Sequence, residues 1–222
     1  YHRDLLGLPD TTHWQSLPSP FSAEQLRVRV APHISTRKAD RDASLEPIAQ
    51  TIADQFREKP GNYLAFFSSF AYMEAVNRAL EVLEPGITRG CQKSGMSAGE
   101  RQQFLDAFTP ESQIVGFAVL GGVFGEGIDL PGERLVGTFI VTLGLPPFDP
   151  WHEILKQRLQ QRFSAGYEYT YLYPGLQKVA QAAGRVIRTD TDQGIIWLID
   201  DRFASPRISR MLPGWWFDSQ TE

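Results

Sequence analysis

Tyr63-Leu-Ala-Phe-Phe67, followed at once by Ser68-Ser69-Phe-Ala-Tyr-Met73, is the stretch that decides the fold. Five apolar residues in a row mark a strand covered on both faces, the habit of parallel sheets. The two serines then offer hydroxyls to the first N–H groups of a helix. Tyr72, Met73, Val76 and Leu80 keep helical spacing beyond them. A buried strand that runs through a capped turn into an amphipathic helix is half of a βαβ unit, and it commits the chain to an α/β architecture with a mostly parallel sheet.

Working outward, the same alternation recurs. Upstream, Leu26, Val28 and Val30 alternate with Arg27 and Arg29, a short strand with one polar face. Leu45, Ile48, Ala49, Ile52, Ala53 and Phe56 then predict a helix that Pro60-Gly61 ends. Residues 1–21, rich in Pro, Ser and Thr, read as a connector, which leaves 22–222 as the folded domain. Downstream, Ser97 with Glu100 three residues on is a capping-box pattern and opens a helix over 97–107. Ile114–Leu120, Thr138–Leu143 and Ile195–Ile199 are strand candidates, and Trp151–Phe163 is a helix candidate. There is no internal repeat and no low-complexity segment.

Composition excludes several classes. The chain has 222 residues, 42% hydrophobic, and a formal charge of −4, so affinity for nucleic acid must come from local groups. One cysteine, Cys91, excludes an internal disulfide and a cysteine-ligated cluster. His2, His13, His33 and His152 have no ligand spacing. No apolar run reaches the ~20 residues of a membrane span.

The polar chemistry concentrates after Pro174-Gly175. Leu176, Val179, Ala180, Ala183 and Ile187 fall on one side of a predicted helix; Gln177, Gln181, Arg185 and Arg188 line the other. Gly184 sits within that stripe as a bare patch of backbone, at a cost of about 1 kcal/mol against Ala. A Gln and two Arg aimed in one direction suit a polyanion such as a triphosphate; the plain alternative is an amphipathic helix with a solvated face.

Three further segments carry polar or glycine-rich signals. Gly121-Gly-Val-Phe-Gly-Glu-Gly127 follows a strand, but Pro131-Gly132 stops the helix that a dinucleotide-binding fingerprint needs. Its clustered N–H groups suit phosphate oxygens instead. Asp200-Asp201 ends an apolar strand like a magnesium-holding acid pair. No G-x-x-x-x-G-K-[ST] loop precedes it, and Gly90-Cys-Gln-Lys-Ser94 lacks the second glycine, so the pair reads as strand-end residues. Ser68 and Ser69 either cap their helix or hold a nucleic-acid phosphate, with Phe70 and Tyr72 as base-stacking candidates.

Together these segments resemble the second motor domain of a superfamily-two helicase of the XPD/DinG family. Ala65-Phe-Phe-Ser-Ser-Phe-Ala-Tyr-Met-Glu74 resembles helicase motif IV, and Gly121–Gly132, with its Glu-Gly-Ile-Asp core, resembles motif V. Gln181-Ala-Ala-Gly-Arg-Val-Ile-Arg188, with Asp192, Gly194 and Asp201-Arg202-Phe203, resembles motif VI. Leu212-Pro213 with Trp215 resembles the family's ending. Gly125 stands where the family often has Ser.

The resemblance implies a RecA-like fold. It further implies ATP bound between this domain and a first motor domain that carries the phosphate loop and shares the Mg²⁺. Any iron–sulfur cluster would belong to that other half. Arg185 and Arg188 would act on the γ-phosphate, with Gln181 linking them to the first domain. Glu126, Gly127, Asp129 and Gly184 would border the nucleotide, and Ser68, Ser69, Gly122 and Phe124 a single DNA strand. The partners implied are single-stranded DNA or forks and the first motor domain, with no membrane. Movement would run 5′-to-3′, at a cytoplasmic or nucleoid-associated location. Two rival classes remain: a stand-alone binding or regulatory module that kept the fold and lost the motor, and a nucleotide-dependent oxidoreductase domain, which the breaker at Pro131-Gly132 argues against.

Overall fold

The structure, a computed structural model, describes residues 6–15, 17–125 and 128–217. Six strands form one sheet: β1 (Leu26–Val30), β2 (Tyr63–Phe67), β3 (Thr88–Cys91), β4 (Ile114–Val119), β5 (Gly137–Val141) and β6 (Gly194–Leu198). Their spatial order is β1-β6-β5-β2-β4-β3 and every pair is parallel. The connecting helices are α1 (Arg41–Glu58), α2 (Phe70–Leu83), α3 (Ala98–Asp106), α4 (Pro150–Phe163), α5 (Tyr173–Ala183) and the one-turn α6 (Pro206–Ser209).

The apolar run that opened the reading is β2, buried at all five positions between β5 and β4. Its alternate residues feed two separate cores. Leu64 and Phe66 face one layer, in which Leu176, Val179, Ala182 and Ala183 of α5 and Phe104 of α3 pack. Tyr63, Ala65 and Phe67 face the other, against Ile48 and Ile52 of α1 and Met73, Val76 and Leu80 of α2. Ser69 caps α2 by accepting from the Tyr72 N–H, and Ser97 and Glu100 form the expected capping box at α3.

Two features differ from expectation. The chain forms β3 where Thr88-Arg-Gly-Cys91 has no apolar run, because an edge position asks for little burial. More consequential for function, α5 stops at Ala183 with Gly184 as its C-cap, so Arg185 and Arg188 lie beyond the helix.

The seat of α5 is set by glycine against glycine. A Cβ on Gly175 would lie 2.6 Å from the Leu143 carbonyl oxygen, and one on Gly144 would lie 2.8 Å from the Gly175 carbonyl oxygen. Gly144 also has φ +67, which side chains disfavour. Backbone therefore meets backbone where the loop after β5 crosses the start of α5.

Candidate nucleotide and nucleic-acid site

Past α5 the chain turns tightly: Gly184 N–H donates to Ala180 O at 2.9 Å, and Val186 N–H to Ala183 O at 3.2 Å. Val186 and Ile187 are buried in the core, which leaves Arg185 and Arg188 half-buried on either side of that apolar pair. Among its described residues the crossover from β4 to β5 has no α-helix, and residues 128–130 run past these arginines. Arg185 donates from Nη1 to the Ile128 carbonyl at 3.2 Å, and Arg188 from Nη2 to the same oxygen at 2.9 Å. Arg188 Nε lies 3.9 Å from the exposed Asp129 carboxylate and has no hydrogen-bond partner among the described residues.

Asp192 holds the arginine loop in place. One of its oxygens accepts from the N–H groups of Arg188 at 2.7 Å and Thr189 at 2.8 Å; the other accepts from the Thr189 hydroxyl at 2.8 Å. Burial pushes this carboxyl upward, but these donors outweigh it and leave it below the ordinary carboxylate range. Gln25, just before β1, donates from Nε2 to the carbonyls of Thr189 at 2.9 Å and Asp192 at 3.0 Å, tying the loop to the opposite end of the sequence.

Of the residues expected at the nucleotide, Gly184, Arg185, Arg188 and Asp129 are thus brought together. Gln181 is exposed on the last turn of α5. Glu126 and Gly127 lie outside the described residues. The departure from expectation is local: the two arginines are presented by a turn buttressed by Asp192 and Gln25 rather than by a continuous helix. Two planar forks converging on one carbonyl oxygen form a cationic cluster suited to phosphate oxygens.

The second group of expected residues sits at the C-terminal ends of the adjacent strands β2 and β4, where ligands gather in open α/β sheets. Ser68 is exposed, and its hydroxyl accepts from Arg41 Nη2 at 2.8 Å. The Arg41 guanidinium also lies 4.9 Å above the Tyr72 ring. Tyr72 is buried, its hydroxyl 2.5 Å from that of Ser44, and burial raises its pKa.

Gly121, with φ +77, starts two tight turns in which Gly122 N–H donates to Val119 O and Gly125 N–H to Gly122 O. A Cβ on Gly125 would stand 3.1 Å from the Gly121 nitrogen, so a serine here would require the turn to shift. The Lys178 side chain from α5 covers Gly121, where a Cβ would meet its Cδ at 3.3 Å.

The Phe124 ring is 1% exposed and lies 4.5 Å from that of Phe104, inside the core under α3, so only its backbone is left to border a strand. Tyr72 is likewise buried, beneath Arg41. Arg41 and Lys178, which the sequence reading did not single out, supply the cations at this edge. Only the packing of α1 against α2 brings Arg41 to Ser68; no local sequence signal marks it.

Asp200 is a structural acid. It accepts from the Thr36 hydroxyl at 2.5 Å and from Arg202 Nε at 2.6 Å. Burial pushes its carboxyl up, yet the bonds from Arg202 and Thr36 hold it down to about 2. Asp201 pairs with Arg37 at 2.7 Å. Among the described residues no group of three His, Cys, Asp or Glu could hold a metal ion, and no helix is long and apolar enough to cross a membrane.

The helicase C-terminal domain model matches residues 52–219. The chain is 29% identical over 194 residues to the regulator of telomere elongation helicase 1 of Bos taurus, covering 78% of this chain and 16% of that protein. It is 27% identical over 212 residues to the ATP-dependent helicase DinG of Mycobacterium tuberculosis, covering 93% and 30%. A solved apo XPD superposes with a TM-score of 0.70 at 22% identity, over 86% of this chain and 38% of that one. The chain spans less than a third of the length of either curated relative. Its six-stranded all-parallel sheet is RecA-like, and the chain belongs to the helicase C-terminal domain family.

Proposed function

We propose that this chain is the second motor half of an ATP-dependent DNA helicase. In this reading ATP lies between it and a first RecA-like domain, and Arg185 and Arg188 are its arginine fingers. The observation that carries the reading is the convergence of both guanidiniums on the Ile128 carbonyl, beside Asp129. When a triphosphate arrives, its oxygens compete for the same N–H groups and offer full negative charge in place of a carbonyl dipole. Charge that spreads over the γ-phosphoryl oxygens in the transition state is then met by donors already in position. Asp192 and Gln25 keep those donors from having to be reorganised.

By kinship with the XPD/DinG helicases, the Mg²⁺ that accompanies ATP would be shared with the first domain. Gln181, exposed on the last turn of α5, would couple the two halves. Ser68, Ser69, Gly122 and Arg41 form this half's share of the single-strand track, and the contacts go to the backbone. Closure of the cleft on ATP and opening after hydrolysis would step the two halves along DNA, 5′-to-3′ by kinship with the XPD/DinG helicases.

The test is a comparison of two proteins. The 222-residue chain alone should bind ATP weakly and turn over none, whereas the polypeptide that joins it to a phosphate-loop domain should show DNA-stimulated hydrolysis. Robust turnover by the isolated chain, or none by the joined protein, would overturn the assignment in favour of a module without motor activity.

A further inference from the structure

Gln25 does more than its place in a helix cap requires. It ends the one-turn 3₁₀ helix Ala23–Gln25 that leads into β1, and with Ser22 it closes a capping box. Its Oε1 accepts from the Ser22 N–H at 3.0 Å, and the Ser22 hydroxyl accepts from the Glu24 N–H at 3.2 Å. A glutamate would serve that box equally well. What glutamine adds is the Nε2 group, which donates to the carbonyls of Thr189 and Asp192, 164 and 167 positions away. Asp192 is thereby held from two sides, its carbonyl by Gln25 and its carboxylate by the N–H groups of Arg188 and Thr189. A chain of hydrogen bonds, none longer than 3.0 Å, runs from the Ser22 N–H through the Gln25 carboxamide and Asp192 to the Arg188 backbone. Apolar packing between the same two segments is looser: Phe21 of the entering segment and Gly184 and Ile187 of the arginine turn line an open cleft of about 240 Å³. Groups that face each other across a void share few contacts, so the hydrogen bonds of Gln25 are the firmer connection.

We propose that Gln25 is a positioning residue for hydrolysis, the link through which the segment entering the domain sets the arginine loop. The inference rests on the reading that Arg185 and Arg188 meet the phosphates. Donors stabilise transition-state charge only when they are already in place, and a small misplacement at such a site is costly. Asp192 fixes the Arg188 backbone locally, and Gln25 fixes Asp192 to the turn that begins β1. The Gln25 side chain touches neither nucleotide nor DNA in this scheme; it acts through residues 189–192. In the two-domain reading the residues ahead of Ser22 lead from the first motor domain. Displacement of that connector as the cleft closes then reaches Arg188 through Gln25.

The test uses the intact protein and its DNA-stimulated ATPase. Gln25→Glu keeps the acceptor for Ser22 and removes both donors to the loop, so kcat should fall about tenfold while ADP affinity holds. Gln25→Met, neutral and of equal length, should do the same. Amide hydrogen exchange at Arg188 and Thr189 should quicken about tenfold in both variants, a readout of the loop that needs no turnover. Ser22→Pro deletes the N–H that Oε1 accepts, at a φ of −82 that proline tolerates. It should lower kcat about threefold below Ser22→Ala, which deletes only the hydroxyl. In an Arg188→Ala background, Gln25→Glu should cost less than about twofold further, because the group it positions is gone. Parental kcat and exchange in both Gln25 variants, or a full tenfold loss persisting without Arg188, would overturn the positioning role. Equal rates for Ser22→Pro and Ser22→Ala would overturn the link to the entering segment. Failure of the phosphate reading is separately visible: Arg188→Ala alone would then leave turnover intact, whatever the Gln25 variants do.

Discussion

Arg188 donates from Nη2 to the carbonyl oxygen of Ile128 at 2.9 Å, joining residues sixty positions apart in the chain. The bond fixes the arginine loop against the crossover from β4 to β5. A guanidinium already tethered has lost most of its rotamer freedom, so little remains to be lost when a phosphate displaces the carbonyl.

The anchor of that loop should be as sensitive as the arginines themselves. Asp192→Ala removes the acceptor for two N–H groups and a hydroxyl at a site only 8% exposed. We expect a stability loss of about 2–3 kcal/mol from the unmatched buried donors, seen as a lower urea midpoint. Turnover should fall further than the unfolded fraction explains. Turnover that merely tracks folding would show that the loop needs no anchor.

Stability should fall in acid through Asp200. Its folded carboxyl is held at about 2 against an ordinary 3.8. A depressed pKa contributes stability that is complete above the unfolded value and lost as pH falls through the folded one. The loss therefore lies between about pH 4 and pH 2 and is on the order of 2 kcal/mol. Urea titrations of the parent and Asp200→Asn across that window are the check; parallel curves would remove Asp200 from the acid response.

Gly175→Ala should unseat α5. The added methyl would stand 2.6 Å from the Leu143 carbonyl oxygen, with backbone rather than a yielding side chain in its way. A loss of about 1–3 kcal/mol is expected, as for overpacking elsewhere, together with reduced turnover, because the arginine turn hangs from the far end of this helix. A melting temperature equal to the parent's would refute the close approach.

At the other edge, Arg41→Ala should weaken binding of a single-stranded oligonucleotide and lower the salt slope by about one, the signature of one lost phosphate contact. Fluorescence anisotropy across a salt series reads both quantities. An unchanged slope would confine Arg41 to holding Ser68 and covering Tyr72.

The parts of this molecule legible in its sequence are those set by local pattern. The buried run Tyr63–Phe67, the Ser97/Glu100 box and the apolar faces of α1 and α2 each express a periodicity or a cap, and each forms as read. The end of α5 was not legible from spacing. Ile187 continues the apolar face of Leu176, Val179 and Ala183, yet it reaches the core by way of a turn at Gly184 rather than along a helix. The seat of Phe124 was not legible either: nothing local in the glycine loop shows that its ring packs on Phe104. Arg41 was invisible because its partner Ser68 comes from a different βα unit. Composition and motif placed the arginines in one neighbourhood; tertiary packing alone supplied Ile128 as their common partner.

The central claim is tested most directly by the DNA-stimulated ATPase rate of the intact protein carrying Arg188→Ala. If Arg188 acts on the transition state, kcat falls by about 10³ to 10⁵, while ADP affinity changes far less and the thermal melt stays close to the parent's. Arg188→Lys should recover little, since a point charge cannot reproduce the planar fork. A kcat for Arg188→Ala near that of the parent would contradict the account.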